Sequence, residues 1–316
     1  NTQGGFSEAL HNLAAVSDST TTNGDVPGIY ASFFGPEPVN LLGVVLLTSL
    51  GTWGLPQMVQ KFYAIKSEDA IHKGTVISTI FALVVSGGCY FMGGFGRLFS
   101  DQVDVATEGY DAIVPTMLSN LPELLIAIVV ILVLSASMST LSALVMTSSS
   151  TSSLDLLKGN MVKKMNDFQA VFIIRCFIVV FIIISMVIAI IQYKYSISFI
   201  AQLMGVSWGA LAGAFLAPFL YSLYWKKATK AACWASFLFG AGVMSLNLLS
   251  NATGLFAFPA LLQSSINCGA FVMLAGLVIV PVVSLFTRKP DAAMVDEAFA
   301  CYEKKAPVAQ KTSLSE

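Results

Sequence analysis

The sequence predicts an all-α integral membrane protein. Three observations carry this prediction: 56% of the 316 residues are hydrophobic, only 11% are charged, and the mean hydropathy is +0.76. Soluble domains carry about a quarter charged residues, so this chain lies far from their composition. Apolar runs long enough to cross roughly 30 Å of hydrocarbon recur along the chain, and they lack the alternation of a β-strand. A multi-span helical bundle is therefore expected.

Seven apolar runs predict the spans of this bundle. They lie at residues 40–62, 75–95, 122–149, 168–191, 197–224, 232–249 and 266–285. Residues 1–38 are rich in Ser, Thr, Asn and Gly, and we predict a loop outside the membrane. Residues 39–286 then form the membrane domain, and residues 287–316 form a hydrophilic tail. Because the chain starts at Asn1 rather than Met, we interpret it as part of a longer protein.

Cationic residues predict the orientation of the membrane domain. If the chain enters its first span from outside, Arg97 and Lys194 face outward, Arg175 lies within the fourth span, and the other cationic residues face the opposite side. Cytoplasmic loops of membrane proteins carry an excess of Lys and Arg, so the C-terminus is predicted to be cytoplasmic. The inward-facing set is Lys61, Lys66, Lys73, Lys158, Lys163, Lys164, Lys226, Lys227, Lys230, Arg288, Lys289, Lys304, Lys305 and Lys311.

The first span is predicted to be a broken helix. Gly51, Gly54 and Pro56 occur within six residues. Pro56 has no backbone N–H, and its ring clashes with the preceding helical turn. In transporters, broken helices turn backbone groups toward a solute cavity. The alternative is an ordinary proline kink that serves only helix packing.

Four side chains are candidates for lining a solute cavity. Thr48, Thr52 and Trp53 precede Pro56 by one to two helical turns, and Trp208 lies on the fifth span. The threonines offer hydroxyl groups and the tryptophans offer apolar walls with a polar N–H. The alternative is that the hydroxyls bond their own helix backbone and that the rings only pack.

The third span carries a dense run of hydroxyl groups, LSASMSTLSALVMTSSSTSSL from Leu134 to Leu154. Ala136, Ser139 and Thr140 are spaced i, i+3 and i+4, so a carbonyl and two hydroxyls share one helix face. Such uncharged oxygens suit a hard monovalent cation, and we predict a Na⁺ site formed by these three residues. The alternative is hydrogen bonding of the hydroxyls to carbonyls four residues earlier.

Other side chains give no sign of catalysis. Five cysteines are scattered singly without the spacing of a metal site or a disulfide framework, and both histidines lie in predicted loops. The sequence contains no nucleophile elbow and no paired carboxylates within a span, so an enzyme is not predicted. We predict no nucleic-acid partner, and the partners expected are a small-molecule solute and the lipid bilayer.

Three segments resemble the sodium:solute symporter family, in particular its proline-transporter branch. They are GLPQMVQKFYAIKS at the first span, SASMSTLSALVMTSSS in the third, and SWGALAGAFLAPFLYSLYWKKATKAACWAS through the fifth into the sixth; the tail KPDAAMVDEAFACYEKK is also similar. The resemblance covers nearly the whole chain and implies the C-terminal portion of a family member. It also implies a LeuT-type fold of five plus five inverted helices, with Na⁺ and solute near the bilayer centre, in a bacterial plasma membrane.

The resemblance implies specific sodium ligands. The sodium site shared by the family uses two adjacent hydroxyls and a carbonyl one turn earlier, which match Ser139, Thr140 and Ala136. Its remaining ligands are carbonyls of the broken helix in the first repeat, which this sequence does not include. Some members bind a second Na⁺ through two further neighbouring hydroxyls, but here the pair is Ser142 and Ala143. A single coupling Na⁺ is therefore expected.

One difference from the family pattern leaves the identity of the solute open. The position that matches Thr52 is a tyrosine beside the solute in the proline and sugar branches. The predicted function is a sodium-coupled secondary symporter that imports a small polar or anionic solute, such as an amino acid, a carboxylate or a vitamin-like molecule, by alternating access. A proton-coupled transporter of the same fold and a symporter-like membrane sensor domain are the alternatives. The oligomeric state is not predicted.

Overall fold

The computed structural model describes residues 4–16, 27–62, 65, 67–103, 109–161, 166–195 and 200–302. Within these ranges the chain forms helices and turns without a β-strand, which confirms the all-α prediction. Six of the predicted inward-facing lysines lie outside the described residues: Lys66, Lys163, Lys164, Lys304, Lys305 and Lys311. The helices are α1 (Phe6–Ala15), α2 (Pro38–Gly51), α3 (Pro56–Phe62), α4 (Glu68–Gly94), α5 (Ile113–Ser119), α6 (Glu123–Ser150), α7 (Asp167–Tyr195), α8 (Ile200–Tyr224), α9 (Lys230–Thr253), α10 (Ala260–Gln263), α11 (Ser265–Phe286) and α12 (Ala292–Phe299).

Six helical stretches in the described part of the chain are long and apolar enough to cross a membrane. They are Asp69–Phe99, Glu123–Lys158, Asp167–Lys194, Gln202–Tyr224, Lys230–Thr253 and Ser265–Phe286. The prediction of about seven spans included residues 40–62 as one span with a break. In the structure this stretch is a shorter apolar helix, Pro38–Gly54, followed by α3, and it is not among the six membrane-length helices. The reason is Pro56, which ends the continuous helix.

The chain divides into two compact units, and the second contains Gly43–Leu55 and the described residues from Gly205 onward. Its three long helices, α8, α9 and α11, meet at glycines. A Cβ on Gly240 of α9 would lie 2.5 Å from the carbonyl carbon of Gly213 on α8. A Cβ on Gly209 would lie 2.8 Å from the Cα of Gly269 on α11. Small residues allow helices in a membrane to approach backbone to backbone, and they do so here at both crossings.

Buried polar groups tie α9 to α11 at both ends. Near the C-terminal end of α9, the Asn247 side chain is fully buried; its Nδ2 donates to the carbonyl of Leu262 at 2.9 Å, and its Oδ1 accepts from Ser265 Oγ at 3.0 Å. At the other end, Thr229 caps α9 by accepting from the N–H of Ala232, and its own N–H donates to Ser284 Oγ at 3.3 Å. These bonds satisfy polar groups that would otherwise be buried without partners.

The first unit contains the described residues up to Leu42 and those of Pro56–Met204. Here α6 continues into a π-helical segment, Thr151–Met161, and both pack against α7. Ser153, in the π-helical segment, is fully buried and donates from Oγ to the carbonyl of Ala170 on α7 at 3.4 Å. The C-terminal end of the hydroxyl-rich helix is therefore held by α7.

Two short helices accompany α4 in this unit. Residues 1–38 were expected to form a loop, but they contain α1, in which Leu13 is buried and Phe6 stacks on Phe91 at 5.9 Å. Phe6 and Leu13 are seven residues apart and share one helix face, so this polar stretch can still pack as an amphipathic helix. The second short helix of this unit is α5. Ile113 of α5 packs against Gly96, where a Cβ would lie 3.2 Å from Ile113 Cγ2.

Candidate functional site

The broken helix contains the first group of candidate residues. α2 ends at Gly51, a 3₁₀ turn follows at Thr52–Gly54, and Leu55 is extended before α3 begins at Pro56. Leu55 donates its N–H to the carbonyl of Thr52 at 3.5 Å, and its side chain is almost fully buried. The predicted break is therefore present, and the buried Leu55 anchors it.

Glycines bring the break close to α8. A Cβ on Gly54 would lie 2.9 Å from Ala212 Cα and 2.9 Å from Leu216 Cβ, both on α8. A Cβ on Gly51 would lie 3.7 Å from Cε3 of Trp208. The turn thus lies directly against the α8 backbone. A residue larger than glycine at position 54 would force the turn and α8 apart.

The four candidate solute residues all belong to the second unit. Thr48 donates from Oγ1 to the carbonyl of Val44 at 2.8 Å, and Thr52 donates to the carbonyl of Ser49 at 3.1 Å. Both hydroxyls therefore bond to their own helix backbone, as the alternative to solute binding predicts. Each oxygen still keeps a lone pair that can accept a hydrogen bond. Trp208 is half-buried beside Gly51, and the Trp53 side chain is 57% exposed.

The candidate sodium ligands lie on α6 in the first unit. Ala136, Ser139 and Thr140 share one face of this helix by their spacing, and all three are exposed. Ser142, in contrast, donates from Oγ to the carbonyl of Met138 at 2.8 Å. The hydroxyls of Ser139 and Thr140 make no hydrogen bond with any described residue. The hydroxyl proton is thus donated to the backbone at Ser142 but not at the two candidate ligands, and all three oxygens keep lone pairs that can accept.

α6, the helix that carries the candidate sodium ligands, is contacted within the first unit by α3, the second half of the broken helix. In the part of the chain that the structure describes, no group of three His, Cys, Asp or Glu side chains is arranged to hold a metal ion. The side-chain oxygens of the hydroxyl-rich part of α6 are uncharged, which suits weak and reversible binding of a monovalent cation.

The sequence analysis missed a groove of about 390 Å³ between α8 and α9. Lys230, Cys233, Trp234 and Phe237 line it from α9, and their i, i+3, i+4 and i+7 spacing was the available signal. From α8 it is lined by residues near Pro218. The groove lies within the second unit and is almost wholly apolar apart from Lys230.

The six membrane-length helices of the described residues define a multi-pass α-helical membrane protein. The profile of the sodium:solute symporter family matches residues 2–240. The chain belongs to this family.

Several characterised relatives are similar to the chain. The osmoregulated proline transporter OpuE of Bacillus subtilis is 24% identical over 295 residues, which are 92% of this chain and 55% of that protein. The sodium/pantothenate symporter of Haemophilus influenzae is 27% identical over 62% of this chain and 40% of its own length. A sodium/proline symporter of Staphylococcus aureus is 24% identical over 80% of this chain and 50% of its own length.

The chain spans about half the length of these relatives. No solved structure is similar to it at a significant level. The family and the relatives are transporters rather than enzymes.

Proposed function

We propose that the whole protein is a sodium-coupled symporter that imports a small polar or anionic solute by alternating access. Membership of the sodium:solute symporter family supports the coupling ion, and relatives named for proline and pantothenate support a small solute. The proposal includes a LeuT-type inverted-repeat fold and a bacterial plasma membrane with the C-terminus in the cytoplasm. The described inward-facing lysines agree with this orientation under the positive-inside rule.

The observation that carries the proposal is the state of two hydroxyl groups on α6. Ser139 and Thr140 are adjacent, exposed and without a hydrogen bond to any described residue. The Ala136 carbonyl lies one turn earlier on the same face, so three uncharged oxygens are offered to one Na⁺. Ala143, the neighbour of Ser142, has no hydroxyl, which favours one coupling ion rather than two.

The broken helix provides the solute side of the proposal. Its turn, Thr52–Gly54, interrupts the regular backbone bonding of α2 and is held against α8 by Gly54. Thr48, Thr52, Trp53 and Trp208 would border the solute there. The hydroxyl oxygens of both threonines retain acceptor capacity, and Trp53 and Trp208 offer indole N–H donors.

Sodium-dependent thermal stability of the full-length protein tests the ion site without knowledge of the solute. Replacing choline chloride with NaCl should raise the unfolding midpoint, because a ligand at 100 times its Kd stabilises by about 2.7 kcal/mol. Ser139→Ala combined with Thr140→Ala should abolish this shift. Ser142→Ala is the matched control and should retain it, since it removes a hydroxyl from the same helix but leaves Ser139 and Thr140 in place.

Uptake measurements distinguish a sodium-coupled symporter from a proton-coupled transporter and from a membrane sensor. Vesicles containing the full-length protein are offered radiolabelled proline, pantothenate or short carboxylates under a Na⁺ gradient or a pH gradient. Accumulation under Na⁺ alone supports the symporter. Equal accumulation under a pH gradient without Na⁺ would establish proton coupling instead. Stabilisation by a solute together with Na⁺, but without accumulation, would establish a sensor.

A further inference from the structure

The groove between α8 and α9 has an aromatic wall. The rings of Phe215 and Phe237 lie 5.6 Å apart and bridge the two helices. Trp234 meets Phe237 edge to face at 5.7 Å. Trp234 is 55% exposed and Phe215 is 38% exposed, so the wall is open along its outer side. An open apolar groove on membrane-spanning helices is suited to a hydrocarbon chain.

The residues at one end of this groove are typical of the membrane interface. The connection between α8 and α9 carries Trp225, Lys226 and Lys227, and Tyr224 precedes it with 71% exposure. Tryptophan, tyrosine and lysine gather at membrane interfaces, where ring and cation meet the headgroups. Lys230 begins α9 just after this connection. The groove therefore starts at the interface and runs into the hydrocarbon for about 10 Å, the rise of seven helical residues.

The charge at this end favours an anionic headgroup. Lys226 is paired with Asp296 at 3.1 Å and lies 5.6 Å from the Phe299 ring centroid. Lys230 lines the groove, and no carboxylate of a described residue lies within ion-pair distance of it. Its ammonium group is therefore available to a lipid phosphate at the interfacial end of the groove. Basic groups between helices at this membrane side are suited to acidic lipid headgroups.

We propose that this groove binds one anionic glycerophospholipid. An acyl chain lies along Phe215, Trp234 and Phe237, and the lipid phosphate contacts the Lys230 ammonium group. Pro218 shapes the α8 side of the groove. The site does not involve the candidate sodium or solute residues, so it stands or fails separately from sodium coupling.

Quenching of Trp234 fluorescence by brominated lipids tests the site in the full-length protein. The protein is reconstituted in phosphatidylcholine vesicles that contain increasing fractions of brominated phosphatidylglycerol or of brominated phosphatidylcholine. The signal of Trp234 is isolated by subtracting the signal of Trp234→Phe prepared in the same way. Brominated phosphatidylglycerol should quench Trp234 at a several-fold lower mole fraction than brominated phosphatidylcholine.

Lysine variants, each with and without Trp234→Phe, identify the headgroup contact. Lys230→Gln should raise the fraction of brominated phosphatidylglycerol needed for half-quenching by about fivefold, the effect of one lysine near the membrane surface. Lys289→Gln removes an exposed lysine on the same predicted side but outside the groove, and it should change that fraction little. Quenching by brominated phosphatidylcholine should be unchanged in both variants, which verifies folding and lipid access.

Three results would overturn the proposal. Equal quenching by the two brominated lipids would show that the groove has no preference for an anionic headgroup. Equal effects of Lys230→Gln and Lys289→Gln would show that only the general surface charge matters. Absence of quenching by either lipid would show that another part of the protein covers the groove.

Discussion

Glycine residues let the helices of the second unit meet backbone to backbone. At Gly240 the space for a Cβ is taken by the carbonyl carbon of Gly213 at 2.5 Å and by the N of Ala214 at 2.6 Å. Backbone atoms in the middle of two helices cannot move aside as a flexible side chain can. The crossing of α8 and α9 therefore depends on the absence of one methyl group.

Gly240→Ala should destabilise the full-length protein by about 1–3 kcal/mol, because overpacking forces the two helices apart. The measurement is the thermal unfolding midpoint in detergent, followed by tryptophan fluorescence. Gly242→Ala is the matched control on the same helix. A Cβ at Gly242 meets nothing within 4 Å, so this change should be neutral or slightly stabilising. Equal midpoints for the two variants would contradict the close crossing.

At the scale of single residues, the sequence predicted features that depend on neighbours along the chain and missed those that depend on distant residues. Pro56 predicts a break because its missing N–H and fixed ring act on its own helix, and the break is present. The role of Gly240 was not predicted, since it depends on Gly213, which is 27 positions earlier and comes close only after folding. The sodium-ligand assignment of Ser139 and Thr140 remains a prediction.

At the scale of single elements, run length and polarity predicted the long helices better than the short ones. Six long apolar runs correspond to membrane-length helices because each contains an 18-residue stretch that is strongly apolar and has at most two charged residues. α1 was missed because ten residues of mixed polarity resemble a loop until Phe91 provides a partner for Phe6. The π-helical segment Thr151–Met161 was also missed, and its sequence has no signal that we can connect with this geometry.

The short helix α12 shows an element held by few contacts. It has eight residues, is capped by Asp291, and is tied to the connection between α8 and α9 by Lys226. A helix of this length is marginal on its own in water, so its order depends on such contacts. Lys226 provides both an ion pair with Asp296 and a cation–π contact with Phe299.

Lys226→Gln should speed backbone amide exchange in α12 several-fold, because both contacts to Asp296 and Phe299 are lost. The unfolding midpoint of the whole protein should hardly change, since an exposed ion pair contributes about 0–1 kcal/mol. Hydrogen–deuterium exchange followed by mass spectrometry measures the effect at Ala292–Phe299. The control is Lys227→Gln, which removes the neighbouring exposed lysine. Faster exchange in both variants alike would rule out the specific contact.

At the scale of the whole molecule, the two units differ in how much apolar surface they bury. The most apolar stretches of α4, α6 and α7 contain no buried residue, whereas 28–39% of the corresponding stretches in α8, α9 and α11 is buried. The first unit therefore presents a large exposed apolar surface, and the exposed hydroxyls of Ser139 and Thr140 lie on one of its helices, α6. The chain spans about half the length of its relatives, and the sodium site proposed at these two residues remains a prediction.

The number of coupling ions is a property of the whole transporter, and one Na⁺ per solute is expected from the Ser142–Ala143 pair. One charge moving through 100 mV supplies roughly 2.3 kcal/mol, enough for an accumulation of about 50-fold for a neutral solute. Proteoliposomes holding the full-length protein, with the solute identified by the uptake screen, should take up ²²Na⁺ and labelled solute in a ratio near one. The Na⁺ dependence of uptake should have a Hill coefficient near one. A ratio near two would mean that a second ion binds without the missing hydroxyl, and Ala143→Ser would then leave that ratio unchanged.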